Sequence, residues 1–278
     1  MRRIDIGSLW GSIPLLVLLF SLISPLSASQ SEISSGEGLQ KRTLYVCANP
    51  HSLPYSSQDP STPGYEVEIG NEVGKILGMK VSTQWIVAFR SKRELSDCDI
   101  LVGVIQTEEE DENPRARFFR TKPYYGTGYV LVLPKEAREV QSLDELDKSL
   151  KIGIEPGSWA HYIASQKGFP VTRYITQEEI VEGVANQEVQ AGLAVAAAVG
   201  WYLKQHPDAP VKIPEGYIPE PDLRWNVVME VNKEDKDLEG AINVALDQLI
   251  QSQTIPSIMA KYGVPYYAPF PLPKEKED

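Results

Sequence analysis

The sequence predicts an α/β protein whose parallel strands are covered by helices on both faces. Short apolar runs rich in β-branched and aromatic residues alternate with amphipathic stretches of helical length, the pattern of strands joined by helical crossovers. The 278 residues suffice for two domains of the usual size. At 42% hydrophobic and 23% charged, with 20 Gly and 21 Pro, the composition is that of a globular chain and excludes a collagen-like or wholly disordered one.

Taken in order, residues 1–29 read as an export address. Arg2 and Arg3 form a basic start, Leu15–Leu22 is an almost unbroken apolar run, and Ser24–Ser29 offers small residues where a signal peptidase could cut. The run falls short of the roughly 20 apolar residues a comfortable membrane span needs, and an uncleaved membrane anchor is the alternative reading. Residues 30–41, rich in Ser, Glu and Gly, follow as a flexible leader. Order is expected to begin at Leu44–Ala48, a buried strand closed by the Asn49-Pro50 turn. Ile69, Val73, Ile76 and Leu77 then recur at helical spacing, with Gly78 where a helix C-cap falls. Strands are expected at 81–87 and 99–104, with a short helical segment between them.

The block Glu108–Glu112 reads either as a cation site or as a solvated loop, and five consecutive acids cannot all face one ion. A strand at 128–133 ends at Pro134, which suits a crossing between domains. Ser142 with Glu145, and Thr176 with Glu179, have capping-box spacing and predict helices to Leu150 and through Val184. Strands are expected at 151–154 and 171–175 around a helix at 158–166, and strands near 190–195 and 224–231 flank the helix Ala196–Gln205. Leu238, Ala241, Ile242, Ala245, Leu246, Leu249 and Ile250 share one face of the last long helix. Residues 266–278 read as an irregular tail.

Charge and motif content narrow the function classes. Lys plus Arg total 27 against 38 Asp plus Glu, a net charge of -11, which repels phosphate backbones and argues against a nucleic-acid partner. Cys47 and Cys98 are the only cysteines. In an oxidising compartment they could pair, but places late in one parallel strand and at the start of another would separate them along the sheet, so the disulfide stays open. There is no C-x-x-C, H-E-x-x-H, G-x-S-x-G elbow or phosphate loop, and the histidines His51, His161 and His206 form no motif. No metal site, cofactor or catalytic residue is therefore predicted.

Several segments together resemble a known family. LYVCANPHSLPYS, GYEVEIGNEVGKILG, CDILVGV, RARFFRTKPYYGTGYVLVLPK, SLDELDKSLKIGIEPGSWA and ALDQLIQSQTIPSIMAKYGVP, in this order over about residues 42–265, resemble the bacterial solute-binding proteins of family 3. The resemblance implies a periplasmic binding protein type II fold: two doubly wound parallel-sheet lobes joined by a hinge. Lobe 1 would comprise 42–135 plus 218–265 and lobe 2 136–217, with ligand held between strand ends and helix N-termini and the lobes closing on it. Cys47 before Ala48-Asn49-Pro50, Leu53-Pro54-Tyr55-Ser56, Cys98-Asp99 and Thr121-Lys122-Pro123-Tyr124-Tyr125 look most like the MoxJ- and XoxJ-like branch associated with quinoprotein methanol dehydrogenases. The chain departs from that branch at Ala194–Ala197, where Trp-Gly-Pro is expected, and after Trp85, where it carries only Arg90 and Arg93.

The resemblance also implies a site. Arg115 matches the arginine that clamps a ligand carboxylate, and it reads equally as a surface partner of the adjacent acids. Tyr55 matches an aromatic that closes over ligand. Glu66 stands where the family carries an acid after its Gly-aromatic pair, and it also reads as a first-turn helix acid. Ser158 and Trp159 open a helix whose free N–H groups suit an anion, or they are simply an N-cap and a packed ring. Val195 occupies the place of the family's ammonium-binding aspartate and cannot neutralise an ammonium.

The leading expectation is a periplasmic, noncatalytic, cofactor-free accessory protein that engages a quinoprotein dehydrogenase or its cytochrome c partner. The alternative is the receptor of an ABC transporter, working with its permease on a small polar or anionic solute such as an amino acid or organic acid. A dehydratase with a carboxylate acid/base pair is the third.

Overall fold

The computed structural model describes residues 42–87, 97–106, 118–233 and 235–271. Strand β1 (Thr43–Ala48) turns Leu44 and Val46 to one face of its sheet and Cys47 to the other. The face of Leu44 and Val46 is buried throughout, whereas on the other face Cys47 is buried and Tyr45 is 41% exposed, so only the second half of the strand is covered on both sides. A two-residue hairpin pair, β2 (His51–Ser52) and β3 (Ser56–Ser57), follows the Asn49-Pro50 turn. Helix α1 (Tyr65–Ile76) buries Ile69 and Val73 against β1. It ends as its glycine predicts: Gly78 takes φ 67, a left-handed conformation, and the Met79 N–H closes on the Gly74 carbonyl at 2.9 Å.

The chain continues through β4 (Lys80–Trp85), β5 (Ile100–Ile105), β6 (Phe118–Arg120) and β7 (Tyr125–Pro134). Next come β8 (Ile152–Ile154), α2 (Trp159–Gln166), β9 (Val171–Arg173), α3 (Gln177–Ala185), β10 (Ala191–Val195) and α4 (Ala196–Gln205). The last elements are β11 (Val211–Lys212), β12 (Arg224–Asn232), α5 (Lys236–Gln251) and α6 (Thr254–Lys261).

One hydrogen-bonded path runs β4-β1-β5-β12-β7-β10-β8-β9, with β6 added to β12 and β11 to β7. The outer strands are parallel, as the alternation predicts: β4, β1 and β5 on one side, β10, β8 and β9 on the other. The two long middle strands are antiparallel to their neighbours, which the crossover pattern alone does not predict. Ten residues of β7 reach about 33 Å. Tyr125–Gly128 pair with β12, Tyr129–Val132 with β10, and Leu133–Pro134 with β11. Buried apolar residues gather in two large clusters: one joins β1, α1, β5, β12, α5 and α6, and the other joins β7, β8, β10, α3 and α4.

The two predicted capping boxes behave differently. At α3 the Thr176 hydroxyl accepts from the Glu179 N–H and the Glu179 carboxylate accepts from the Thr176 N–H, both at 3.1 Å. The helix expected from Ser142 to Leu150 does not form; Leu143–Glu145 is one 3-10 turn whose Ser142 makes no cap bond. The Leu143 N–H donates instead to Glu220 and the Glu145 carboxylate takes the Gln141 N–H at 3.1 Å, so the groups a cap would satisfy are engaged elsewhere. Helix α6, unforeseen from the sequence, follows Gln253 at φ 59 and buries Ile255 and Met259 in the first cluster.

Irregular residues 266–271 lie along the middle strands. The Gly126 N–H donates to Tyr267 O at 2.8 Å, and the Asn226 amide exchanges bonds of 2.9 and 2.7 Å with the Phe270 backbone.

Cys47 and Cys98 are joined, with an S–S distance of 2.00 Å and Cα atoms 5.7 Å apart. The offset along the parallel strands is present in the register, where Cys47 lies opposite Leu101. A bend at Asp99 removes it: the Asp99 N–H donates to Tyr45 O at 3.0 Å and its carboxylate accepts from the Tyr45 N–H at 2.8 Å. Cys98 is thereby brought over β1 instead of continuing the line of β5. The predicted signal peptide at 1–29, the leader at 30–41, the helical segment between 87 and 99 with Arg90 and Arg93, the acidic block Glu108–Glu112 and Arg115 all lie outside the described residues apart from the ends of that segment. Among the described residues no helix is long and apolar enough to cross a membrane.

Candidate functional site

Tyr55 sits in the turn between β2 and β3, half-buried, and the loop around it closes on α1. The Tyr65 N–H donates to Pro54 O and the Glu66 N–H to Tyr55 O, both at 3.0 Å, so loop carbonyls satisfy the first free N–H groups of the helix. The Tyr55 ring packs on Tyr65 with centroids 5.4 Å apart. Burial pushes the Tyr55 phenol up, and the negative charge of Glu66 and the neighbouring Tyr129 add to it.

Glu66 belongs to the first turn of α1, yet its side chain points inward and is 1% exposed. One carboxylate oxygen accepts from the Tyr124 hydroxyl and the other from the Tyr125 hydroxyl. Tyr125 also shares a 3.1 Å bond with the Tyr65 hydroxyl, and the Gly103 N–H donates to Tyr124 at 3.2 Å. Gly103 takes φ 71 in the middle of β5, and a Cβ there would stand 3.3 Å from the Glu66 carboxyl group, so the tyrosine-carboxyl cluster depends on glycine at this point. Burial pushes Glu66 up to about 7, against the downward pull of the two tyrosine hydroxyls. Each Glu66 oxygen thus holds one tyrosine hydroxyl, and its negative charge bears directly on Tyr55.

A second group forms at the carboxyl ends of β8 and β10, whose register sets Gly153 opposite Gly192. Glu155 follows β8, Ser158 caps α2, Gln177 opens α3 and Val195 ends β10. The Ser158 hydroxyl accepts from the His161 N–H at 3.1 Å and donates to Glu155 O at 2.7 Å. The Gln177 amide is fixed at both ends, its NH₂ on the Glu155 carboxylate and its oxygen on the Val195 N–H at 2.8 Å. Tyr129, opposite Val195 in the β7–β10 register, hydrogen-bonds with Ser158; burial raises its phenol, Ser158 opposes this and Glu155 adds to it. Its ring stands edge-on to Trp225 with centroids 5.4 Å apart.

Of the residues expected from the sequence, Tyr55 and Glu66 share one cluster and Ser158 belongs to the other. Trp159 is 54% exposed, stacks on Tyr162 at 4.8 Å and donates its indole N–H to Asp222 O. Glu155, Gln177 and Tyr129 were missed. The signal for Glu155 was its place directly after a buried strand, at the end where α/β sites form. Gln106, directly after β5, has a buried side-chain oxygen with no hydrogen-bond partner among the described residues. Among the described residues no group of three or more His, Cys, Asp or Glu side chains is arranged to hold a metal ion.

Comparison with known proteins follows the same lines. The probable amino-acid-binding protein YxeM of Bacillus subtilis is 24% identical over 252 residues, covering 88% of this chain and 93% of that protein. Among solved structures, the unliganded open L-cystine solute receptor of Neisseria gonorrhoeae matches with TM-score 0.70 at 22% identity, over 81% of this chain and 93% of that one. MxaJ from Methlophaga aminisulfidivorans matches with TM-score 0.60 at 20% identity, over 80% and 99%. Likenesses at this identity show a shared fold. The model of the bacterial extracellular solute-binding proteins, family 3, matches residues 44–265, nearly the whole described chain, and this protein belongs to that family.

Proposed function

We propose that this chain is the extracytoplasmic receptor of an ABC transporter, exported with loss of residues 1–29, that binds a small polar solute and presents it to a permease. The carrying observation is the pairing of two polar groups at strand ends, Tyr55 over the Glu66 cluster and Glu155–Gln177–Ser158 beside Tyr129. Lobes of 42–135 plus 218–265 and of 136–217, closing on the solute, fit this reading, and so does the amino-acid-binding name of the Bacillus relative. The role is binding without turnover. Arg115 is assigned here, on sequence alone, to a carboxylate of the solute.

A thermal-shift screen against amino acids, organic acids and sugars tests the reading. A bound solute at 100 times its dissociation constant stabilises by about 2.7 kcal/mol, a rise of roughly 5–11 °C at this size. A flat screen of well-folded protein would count against a receptor. With a solute identified, Arg115→Ala is expected to abolish binding, and unchanged affinity would remove Arg115 from the site.

One observation favours a second reading, an accessory role beside a quinoprotein dehydrogenase or its cytochrome c: Val195 puts an apolar side chain where an ammonium partner is expected. That reading calls for a flat screen together with co-purification of the dehydrogenase, and repeated pull-downs without it would end it.

A further inference from the structure

Residues 263–271 run beside the place where the sheet changes partner. On β7 the pairing passes from β12 to β10 between Gly128 and Tyr129, and the returning chain enters β12 at Arg224. A rotation of one large apolar cluster against the other has to bend the chain there. Two residues away the Gly126 N–H donates to Tyr267 O, and Asn226, opposite Gly126 in the register, holds the Phe270 backbone by both ends of its amide. The Phe270 ring lies under the Arg224 guanidinium at 4.4 Å, and so close over Gly126 that a Cβ there would stand 2.5 Å from it.

The same segment is seated on both clusters. Val264 and Tyr266 pack with the first, and Tyr267 packs with the second. The turn at Gly263 meets α4 directly. A Cβ on Gly200 would stand 2.2 Å from Gly263 O, and one on Gly263 would stand 2.5 Å from Gly200 O, so the two backbones touch with no side chain between them. Helix α4 is itself divided, with Ala196 and Val199 in the second cluster and Ala197 in the first, and its Trp201 ring lies 6.0 Å from that of Tyr262 at the end of α6. Close-packed contacts of this kind do not stretch; they hold or they part. Bending at 128–129 would draw α4 and the seat of Tyr267 away from Gly263 while Phe270 stays on Asn226.

Taking the lobes of the receptor reading, we infer that residues 263–271 are a strap that fixes the resting angle between them and holds the unliganded protein in one conformation. The strap then sets how much of the free energy of solute binding goes into changing that angle.

The test is pulsed electron paramagnetic resonance on the chain from residue 30, with spin labels at Lys75→Cys on α1 and Glu182→Cys on α3, two exposed positions on helices of different clusters. Cys47 and Cys98 are joined to each other and take no label. With no solute present, the otherwise unchanged protein is expected to give one narrow distribution of label-to-label distance. Phe270→Ala combined with Asn226→Ala, which cuts the strap from β12, is expected to broaden that distribution and move its maximum while the far-UV circular dichroism stays the same. Should this variant fail to fold, Gly200→Ala decides, since its Cβ must displace Gly263 O and shift the distance as well. A lowered melting temperature with an unchanged distribution would make the segment a packing element and overturn the inference, and so would a broad distribution in the protein with its strap intact. No solute enters the measurement, so these outcomes are distinct from a flat thermal-shift screen, which bears on the receptor reading alone.

Discussion

Replacing Cys47 and Cys98 together by alanine is expected to lower unfolding stability by about 4 kcal/mol and the melting temperature by roughly 8–16 °C. The bridge spans 51 residues, and a closed loop of that length removes much of the freedom of the unfolded chain in the chain-entropy account. The loop it closes contains β2, β3, α1 and β4. Cys47 is 0% and Cys98 2% exposed, and they form a small third apolar cluster with Ile86 and Leu101. The substitution therefore trims packing as well as the cross-link. Urea unfolding separates these effects. Loss of the cross-link expands the unfolded state and should raise the denaturant slope, whereas loss of packing alone would move the midpoint at constant slope. Wild type with a thiol reductant should follow the double variant. A loss under about 1 kcal/mol with no change of slope would mean that strand pairing, not the bridge, fixes β5 beside β1.

The pairing shows where sequence reading stops. Cys47 lies late in its strand as expected, whereas Cys98, expected at the start of a strand, stands two residues ahead of β5; the offset itself is present in the register. What could not be seen was the bend at Asp99, because it is made by hydrogen bonds to Tyr45 from fifty residues earlier. Local signals served well where the cap and the helix lie within a few residues, as at Thr176 and Glu179, and where a long apolar face repeats, as from Leu238 to Ile250. The same spacing at Ser142 misled, since its bonding partners came from Glu220 and Gln141. Antiparallel β7 and β12 were hidden for a related reason: strand direction is decided by how the chain returns, which no window of residues contains.

The site divides in the same way. Tyr55 and Glu66 were marked by the family resemblance, and Ser158 by the helix start that it caps. Glu155 and Gln177 are 22 residues apart and meet only because β8 and β10 pair as they do. Glu66 looked like a first-turn acid from its position in α1, and its inward direction depends on Tyr124 and Tyr125, brought by the start of β7.

Glu66→Gln is expected to change the pH dependence of stability more than stability itself. In the unfolded chain this carboxyl titrates near its ordinary 4.5, whereas in the fold burial raises it to about 7. Below pH 4.5 it is neutral in both states and contributes nothing. As pH rises through the interval the unfolded chain gives up its proton first, so the unfolded state is favoured progressively, and the loss levels off above pH 7. At about 1.4 kcal/mol per tenfold change in proton affinity, wild type should lose on the order of 3 kcal/mol from this residue between pH 4.5 and 8. Glutamine keeps an oxygen acceptor for one tyrosine and presents an NH₂ to the hydroxyl oxygen of the other, so the cluster of Tyr65, Tyr124 and Tyr125 can persist without a titrating group. Urea midpoints at pH 5, 6, 7 and 8 read the difference directly: Glu66→Gln should gain on wild type by about 2.5 kcal/mol across the series. A constant difference would show that the two tyrosine hydroxyls stabilise the carboxylate enough to cancel the effect of burial, and that Glu66 is ionised in the fold at every pH tested.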